Sequence, residues 1–177
     1  MTSKSLERWK ASGNYFKWRE HSIFYQDQGK GDALFCIHGF PTSSYDWQRI
    51  WPSLAKHFRV IAFDLLGFGF SDKPRSHRYS ILEQADIVAG LLASLNIRRT
   101  HLLAHDLGDS VAQECLARQE TGTGIFAFDI GSVCFLNGGL FPEVHRPRLI
   151  QTLLRSPLGP LLVQGLNETK FRESFSA

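Results

Sequence analysis

The stretch 102-LLAHDLGDSVAQE-114 decides how the chain is read. An apolar run stops at Ala104, and His105, Asp106, Leu107 and Gly108 follow. A helical pattern then sets in at once, with Val111, Ala112, Cys115 and Leu116 on one face. Small residues stand two before and two after Asp106, as in a sharp strand-to-helix turn that presents a nucleophile with its neighbours packed close. The helix that begins near Gly108 points its positive end at this turn and favours an ionised Asp106. The backbone N–H of Leu107 can donate to a developing oxyanion. Aspartate is also among the best N-cap residues, and this stretch alone does not separate a nucleophile from a cap.

Upstream, 33-ALFCI-37 is an apolar run without alternation that ends in 38-HGFP-41. Such a run suggests a strand covered on both faces, as in a parallel sheet. Ser43 or Ser44 can cap a following helix carrying Trp47, Ile50 and Trp51, with Pro52 expected to break it. A second strand, 59-RVIAFD-64, leads into the turn-rich 67-GFGFSDKPR-75. Ser80 and Glu83 form a capping box, and the helix after them places Ile81, Ala85, Val88, Leu92 and Leu95 on one face. Strand 100–105 precedes the Asp106 turn, and a last strand near 131-GSVCFLN-137 ends at Gly138-Gly139. Before all of these, residues 14–27 read as two short antiparallel strands meeting near Glu20-His21. Strands alternating with helices predict an α/β fold with a doubly wound, mostly parallel sheet. Ligands in such sheets bind beyond the carboxyl ends of the strands, where HGFP, DLLGFG and HDLG stand. Residues 1–139 form the core of this pattern. Residues 140–177, with prolines at 142, 147, 157 and 160, read as one or two short helices forming the start of a lid.

Composition is that of an ordinary globular domain, with 43% hydrophobic and 21% charged residues. A net charge of +3 and two short basic groups, Arg98-Arg99 and 145-HRPR-148, give no nucleic-acid footprint. Cys36, Cys115 and Cys134 lack CxxC spacing and read as reduced thiols. With no secretory h-region and no membrane-length apolar run, a cytoplasmic protein is expected. The G-x-G of 67-GFGFSD-72 lacks a third glycine and follows the wrong strand for a dinucleotide fingerprint. No helix shows metal-ligand spacing. Neither cofactor nor metal is expected.

Together HGFPTSSYDW, DLLGFGFSDKP and HDLGDSVAQE resemble the α/β-hydrolase superfamily, in the branch of epoxide hydrolases and haloalkane dehalogenases. FYQD, FGFSDKP and NGG-FPE-HRP resemble in particular the mesoderm-specific transcript-like hydrolases of that branch. The resemblance covers roughly residues 8–150. It implies Asp106 as nucleophile and an oxyanion hole from the N–H groups of Phe40 and Leu107. His38, Gly39, Pro41, Ala104, His105 and Gly108 support these motifs, and the Phe40-Pro41 bond is expected to be cis. It also implies hydrolysis of a small apolar substrate through a covalent alkyl-enzyme ester, for which a carboxylate is suited because water can cleave the ester again.

The sequence departs from the family in three places. Dehalogenases of the branch place a Trp after the nucleophile, where Leu107 stands. The lid tyrosines that activate epoxides have no counterpart, since Tyr15, Tyr25, Tyr45 and Tyr79 all precede the lid. The triad acid that some members carry after the last strand is replaced by Asn137, Glu143 belongs to the lid, and no histidine stands where the base belongs. The expected fold is therefore an incomplete one, unable to turn over by itself. Epoxide-hydrolase-like chemistry is the leading expectation. A dehalogenase-type hydrolase and a non-catalytic binding protein on the same fold are the alternatives. Without later strands, the strand at Val133–Phe135 becomes an apolar sheet edge that invites self-association.

Overall fold

The computed structural model describes residues 3–123, residues 128–139 and residues 152, 153, 156, 157 and 159. The chain divides into two compact units, Met1–Leu140 and Phe141–Ala177. In the first, helix α1 (Ser3–Ala11) precedes strands β1 (Asn14–Trp18), β2 (His21–Gln28) and β3 (Ala33–Ile37). A 3-10 turn (Ser44–Arg49) and the short α2 (Trp51–Leu54) lead to β4 (Arg59–Phe63). Then come α3 (Ile81–Ser94), β5 (Arg99–His105), α4 (Leu107–Thr121) and β6 (Asp129–Leu136). In the second unit, the N–H and hydroxyl of Ser156 donate to the carbonyl of Leu153, at 3.1 and 2.6 Å.

The strands form one sheet in the order β1-β2-β4-β3-β5-β6. β1 and β2 are antiparallel, as is β2 with β4, while β3, β4, β5 and β6 run parallel. β3 lies between β4 and β5, with Ile37 opposite Phe63 on one side and Ala104 on the other. The exits of β3, β4 and β5 therefore meet at one edge of the layer, and HGFP, Asp64 and Asp106 are brought together there.

β3 is buried throughout, as its unbroken apolar run predicts. Alternate residues serve opposite faces. Phe35, Ile37, Ile61 and Phe63 pack with α3 and α4. Leu34, Cys36, Val60 and Ala62 pack with Trp9, Trp47 and Trp51. Each large apolar side chain fully buried here contributes on the order of 1.5–3 kcal/mol. Ser80 accepts the N–H of Glu83 at 3.1 Å and caps the start of α3 as read, while the Glu83 carboxylate lies 2.6 Å from His77 Nε2 and does not close the box. Ala85, Val88 and Leu92 of that helix are buried, as are Val111, Ala112 and Cys115 of α4.

One local expectation is corrected. Pro52 does not break a helix; it sits in the first turn of α2, where a missing N–H costs nothing. Ile50, at the joint between the 3-10 turn and α2, is 44% exposed. α1 was not foreseen.

β6 is the outer strand of the sheet among the described residues. Ile130 is buried, while Cys134 and Leu136 are exposed. No described helix is long and apolar enough to cross a membrane.

Candidate active site

β5 ends at His105, α4 begins at Leu107, and the whole turn is Asp106. Its backbone has φ 53° and ψ −115°. An ordinary N-cap is extended and accepts from the second or third N–H of its helix; Asp106 does neither. Its Oδ1 accepts the N–H of the very next residue, Leu107, at 2.6 Å and that of Phe40 at 2.9 Å. Oδ2 has no hydrogen bond among the described residues. The Asp106 N–H donates to the carbonyl of Leu136 at 3.0 Å, which ties the turn to the exit of β6.

Glycine makes this approach feasible on two sides. A Cβ at Gly39 would lie 2.4 Å from the Asp106 Cβ, and one at Gly108 would lie 2.4 Å from the carbonyl oxygen of Ile37. Ala104, the other small position, is fully buried opposite Ile37. The Phe40–Pro41 peptide is cis, as expected. Phe40 is 64% exposed, so its ring is not what holds the loop; its N–H is the group that engages Asp106.

His38 is fully buried and braces the loop. Its Nδ1 lies 2.8 Å from the carbonyl oxygen of Gly39, and its Nε2 accepts the N–H of Leu65 at 3.0 Å. Nδ1 therefore carries the proton and the ring is neutral. Burial drives its proton affinity below the ordinary imidazole range, opposed by the nearby Asp64 carboxylate. Both ring nitrogens are occupied, so His38 is a structural member of the motif and not a base. His105 is half-buried in β5 opposite Leu136.

The sequence reading missed Asp64, which is fully buried at the exit of β4. Its Oδ1 accepts the Ser44 N–H at 2.7 Å and its Oδ2 the Phe70 N–H at 2.6 Å, while Ser71 donates its hydroxyl to the Asp64 carbonyl at 2.6 Å. Asp64 thus joins the loop after HGFP to the DLLGFGFSD turn. Phe68 of that turn meets His38 and Phe40 edge to face, with ring centroids 5.6 and 6.1 Å away. The sequence reading also passed over Asp109, which is 1% exposed and has no hydrogen-bond partner among the described residues for either carboxyl oxygen.

Beside Asp106 lies an apolar cleft of about 490 Å³, walled by Leu66, Phe68, Tyr79, Ile81, Gln84 and Leu107 among others. That size is in the range of small-molecule sites. Tyr79 reaches this wall although it precedes the lid, with its phenol donated to the carbonyl of Pro74 at 2.8 Å. Asn137 follows β6 with φ 54°. Glu143 and His145, weighed from sequence, lie outside the described residues, as do Leu149, Ile150 and Leu154 of the lid face.

A mostly parallel sheet with a strained carboxylate turn after a central strand, facing an N–H from the loop after the neighbouring strand, is an α/β-hydrolase arrangement. Residues 32–118 match the α/β hydrolase fold family, and the chain has that fold. It is 51% identical over 175 residues to the mesoderm-specific transcript homolog protein of Bos taurus, covering 93% of this chain and 52% of that protein. The chain thus spans about half the length of that relative. Among solved structures it is similar to the epoxide hydrolase CorEH, with TM-score 0.65 and 27% identity over 81% of this chain and 48% of that one. It is also similar to the haloalkane dehalogenase DbeA of Bradyrhizobium elkanii, with TM-score 0.61 and 30% identity over 70% of this chain and 39% of that one.

Proposed function

We propose that this protein is a hydrolase with a carboxylate nucleophile that opens small apolar epoxides through a covalent ester on Asp106. The observation that carries the reading is the asymmetry of that carboxylate: Oδ1 takes two backbone N–H groups and Oδ2 takes none among the described residues. Oδ2 is then the attacking atom. Its electron pair forms a bond to an epoxide carbon, the ring C–O bond breaks, and the alkoxide takes a proton from water. In the resulting ester Oδ1 is the carbonyl oxygen, already seated between the Phe40 and Leu107 donors. When a hydroxide adds to that carbonyl, the negative charge develops on Oδ1. One such donor is typically worth about 2.7–4 kcal/mol.

The apolar cleft beside Leu107 suits the hydrocarbon part of such a substrate. An epoxide is favoured over a haloalkane because Leu107 offers no side-chain donor to a leaving halide. Within the 177-residue chain the first step is expected without the second. His38 is committed to Gly39 and Leu65 and cannot activate water. Three free cysteines are in keeping with a cytoplasmic setting. No nucleic-acid or membrane partner is proposed.

The test is intact-mass measurement after incubation with an aryl epoxide, using a Cys134→Ser background because that thiol is exposed. A single adduct of the epoxide's mass, mapped to Asp106 and absent in Asp106→Ala, is expected. No adduct, or one that persists in Asp106→Ala, overturns the reading and leaves a non-catalytic protein on the hydrolase fold.

A further inference from the structure

Asp109 has no part in the chemistry above, yet it lies one helical turn from Asp106 and is almost wholly buried. Its carboxyl occupies space that only glycine leaves. A Cβ on Gly138 would fall 1.9 Å from Oδ2 of Asp109 and 2.4 Å from its Cγ. Gly138 is not among the residues with positive φ, so close approach, not backbone conformation, is what requires glycine there. The same strand exit is held to the elbow by the Asp106 N–H on the Leu136 carbonyl. We propose that Asp109 is a positioning residue for Asp106, a buried carboxylic acid that fits the gap at Gly138 and seats the exit of β6 against the elbow without placing a second charge beside the nucleophile.

The two carboxyls have opposite surroundings. Asp106 has two N–H donors on one oxygen. Neither oxygen of Asp109 has a hydrogen-bond partner among the described residues. A buried carboxylate without partners is costly, and the group keeps its proton instead. Burial pushes the Asp109 carboxyl above the ordinary range. The N–H groups of Leu136 and Gly138 and the ring of His105 draw it partly back, and the Asp106 charge adds to the rise. These are the groups that face it: Asp106 from the elbow, His105 from β5, and only backbone from β6. The neutral acid leaves the charge on Asp106 unopposed.

The inference rests on the proposed role of Asp106 only for its functional meaning. Its test uses no epoxide, so either reading can fail without the other. Carbon-13 NMR titration of the aspartate carboxyls in the 177-residue chain should find Asp109 titrating above the ordinary carboxylate range. In Asp109→Asn, a neutral stand-in for the neutral acid, the fold should persist. A raised folded value means that the folded state binds more protons than the unfolded one between the two midpoints. Asp109 therefore lowers stability progressively as pH rises from its unfolded to its folded value. The urea midpoint of Asp109→Asn relative to wild type should accordingly be flat in acid, rise through that window and level off above it. Gly138→Ala should destabilise the chain, and adding Asp109→Ala should restore part of the loss. Three results would overturn the proposal: an Asp109 that titrates at or below the ordinary range, a pH-independent difference, or failure of Asp109→Asn to fold.

Discussion

Replacing Asp64 should show how far the site depends on a residue that never meets substrate. The carboxylate is fully buried and takes the Ser44 and Phe70 N–H groups at 2.7 and 2.6 Å on separate oxygens. Asp64→Ala strands both donors, and Ser44 is itself fully buried. A buried donor left unsatisfied costs about 1–3 kcal/mol, so the two together cost roughly 2–6 kcal/mol, with a small cavity added. Relief from burying the carboxylate offsets part of this and sets the expectation near the middle, about 3–4 kcal/mol. Asp64→Asn discriminates more sharply. It preserves volume, but its amide nitrogen must face one of the same two N–H groups, so it should cost at least half of what alanine costs. Urea unfolding followed by tryptophan fluorescence reads both, because Trp47 and Trp51 are buried on that side of the sheet. The Ser44 N–H also anchors the chain three residues after Pro41, so formation of the Asp106 adduct should slow in both variants. If both lose less than about 1 kcal/mol, Asp64 is not the brace argued for.

Gly108→Ala would place its Cβ 2.4 Å from the Ile37 carbonyl oxygen and 2.8 Å from that of His38. Backbone cannot turn aside, so overpacking of about 1–3 kcal/mol should outweigh the gain in helix propensity, and a variant more stable than wild type by chemical denaturation would contradict this. Native protein should react with a thiol reagent once, at Cys134. Burial pushes the Cys115 thiol up to about 12 and raises Cys36 as well, so two or three fast thiols before unfolding would show that the core is open. The β6 edge should make elution of the 177-residue chain concentration-dependent in size-exclusion chromatography, with Leu136→Lys weakening the effect; a monomer at every concentration would refute it.

Much of this fold was legible because its strands are buried on both faces. β3 and β4 read as nearly unbroken apolar runs, β5 through its short Leu102–Ala104 run, and the Ser80–Glu83 spacing marked the start of α3. α1 escaped notice because it docks chiefly through one side chain, Trp9, and a single anchor leaves no periodic stripe. Within the site, the elbow and the HGFP loop could be read because spacing along the chain carries them. The brace could not. Asp64 gains its meaning from Ser44 and Phe70, which lie on different loops. Asp109 was hidden for another reason. An acidic residue in the first turn of a helix is what the helix dipole favours at a solvated end, so nothing marks it as buried until Gly138 is seen beside it.

The backbone at Asp106 bears most directly on the choice between nucleophile and cap. Among the described residues, four non-glycine positions have positive φ: Arg19, Asn96, Asp106 and Asn137. Asparagine and aspartate tolerate the left-handed helical well, which pairs positive φ with positive ψ. Asp106 has ψ −115°, well outside it. Strain of this kind costs on the order of 1–3 kcal/mol and persists where surrounding structure imposes it. Here Gly39 and Gly108 crowd the turn from both sides, and the Leu136 carbonyl fixes its N–H. A cap has no use for the strain, because an extended aspartate would satisfy deeper helix N–H groups more cheaply. What the strained form gains is a carboxylate aimed at Phe40, with one oxygen held and the other without a partner among the described residues, as the proposed attack on a substrate requires.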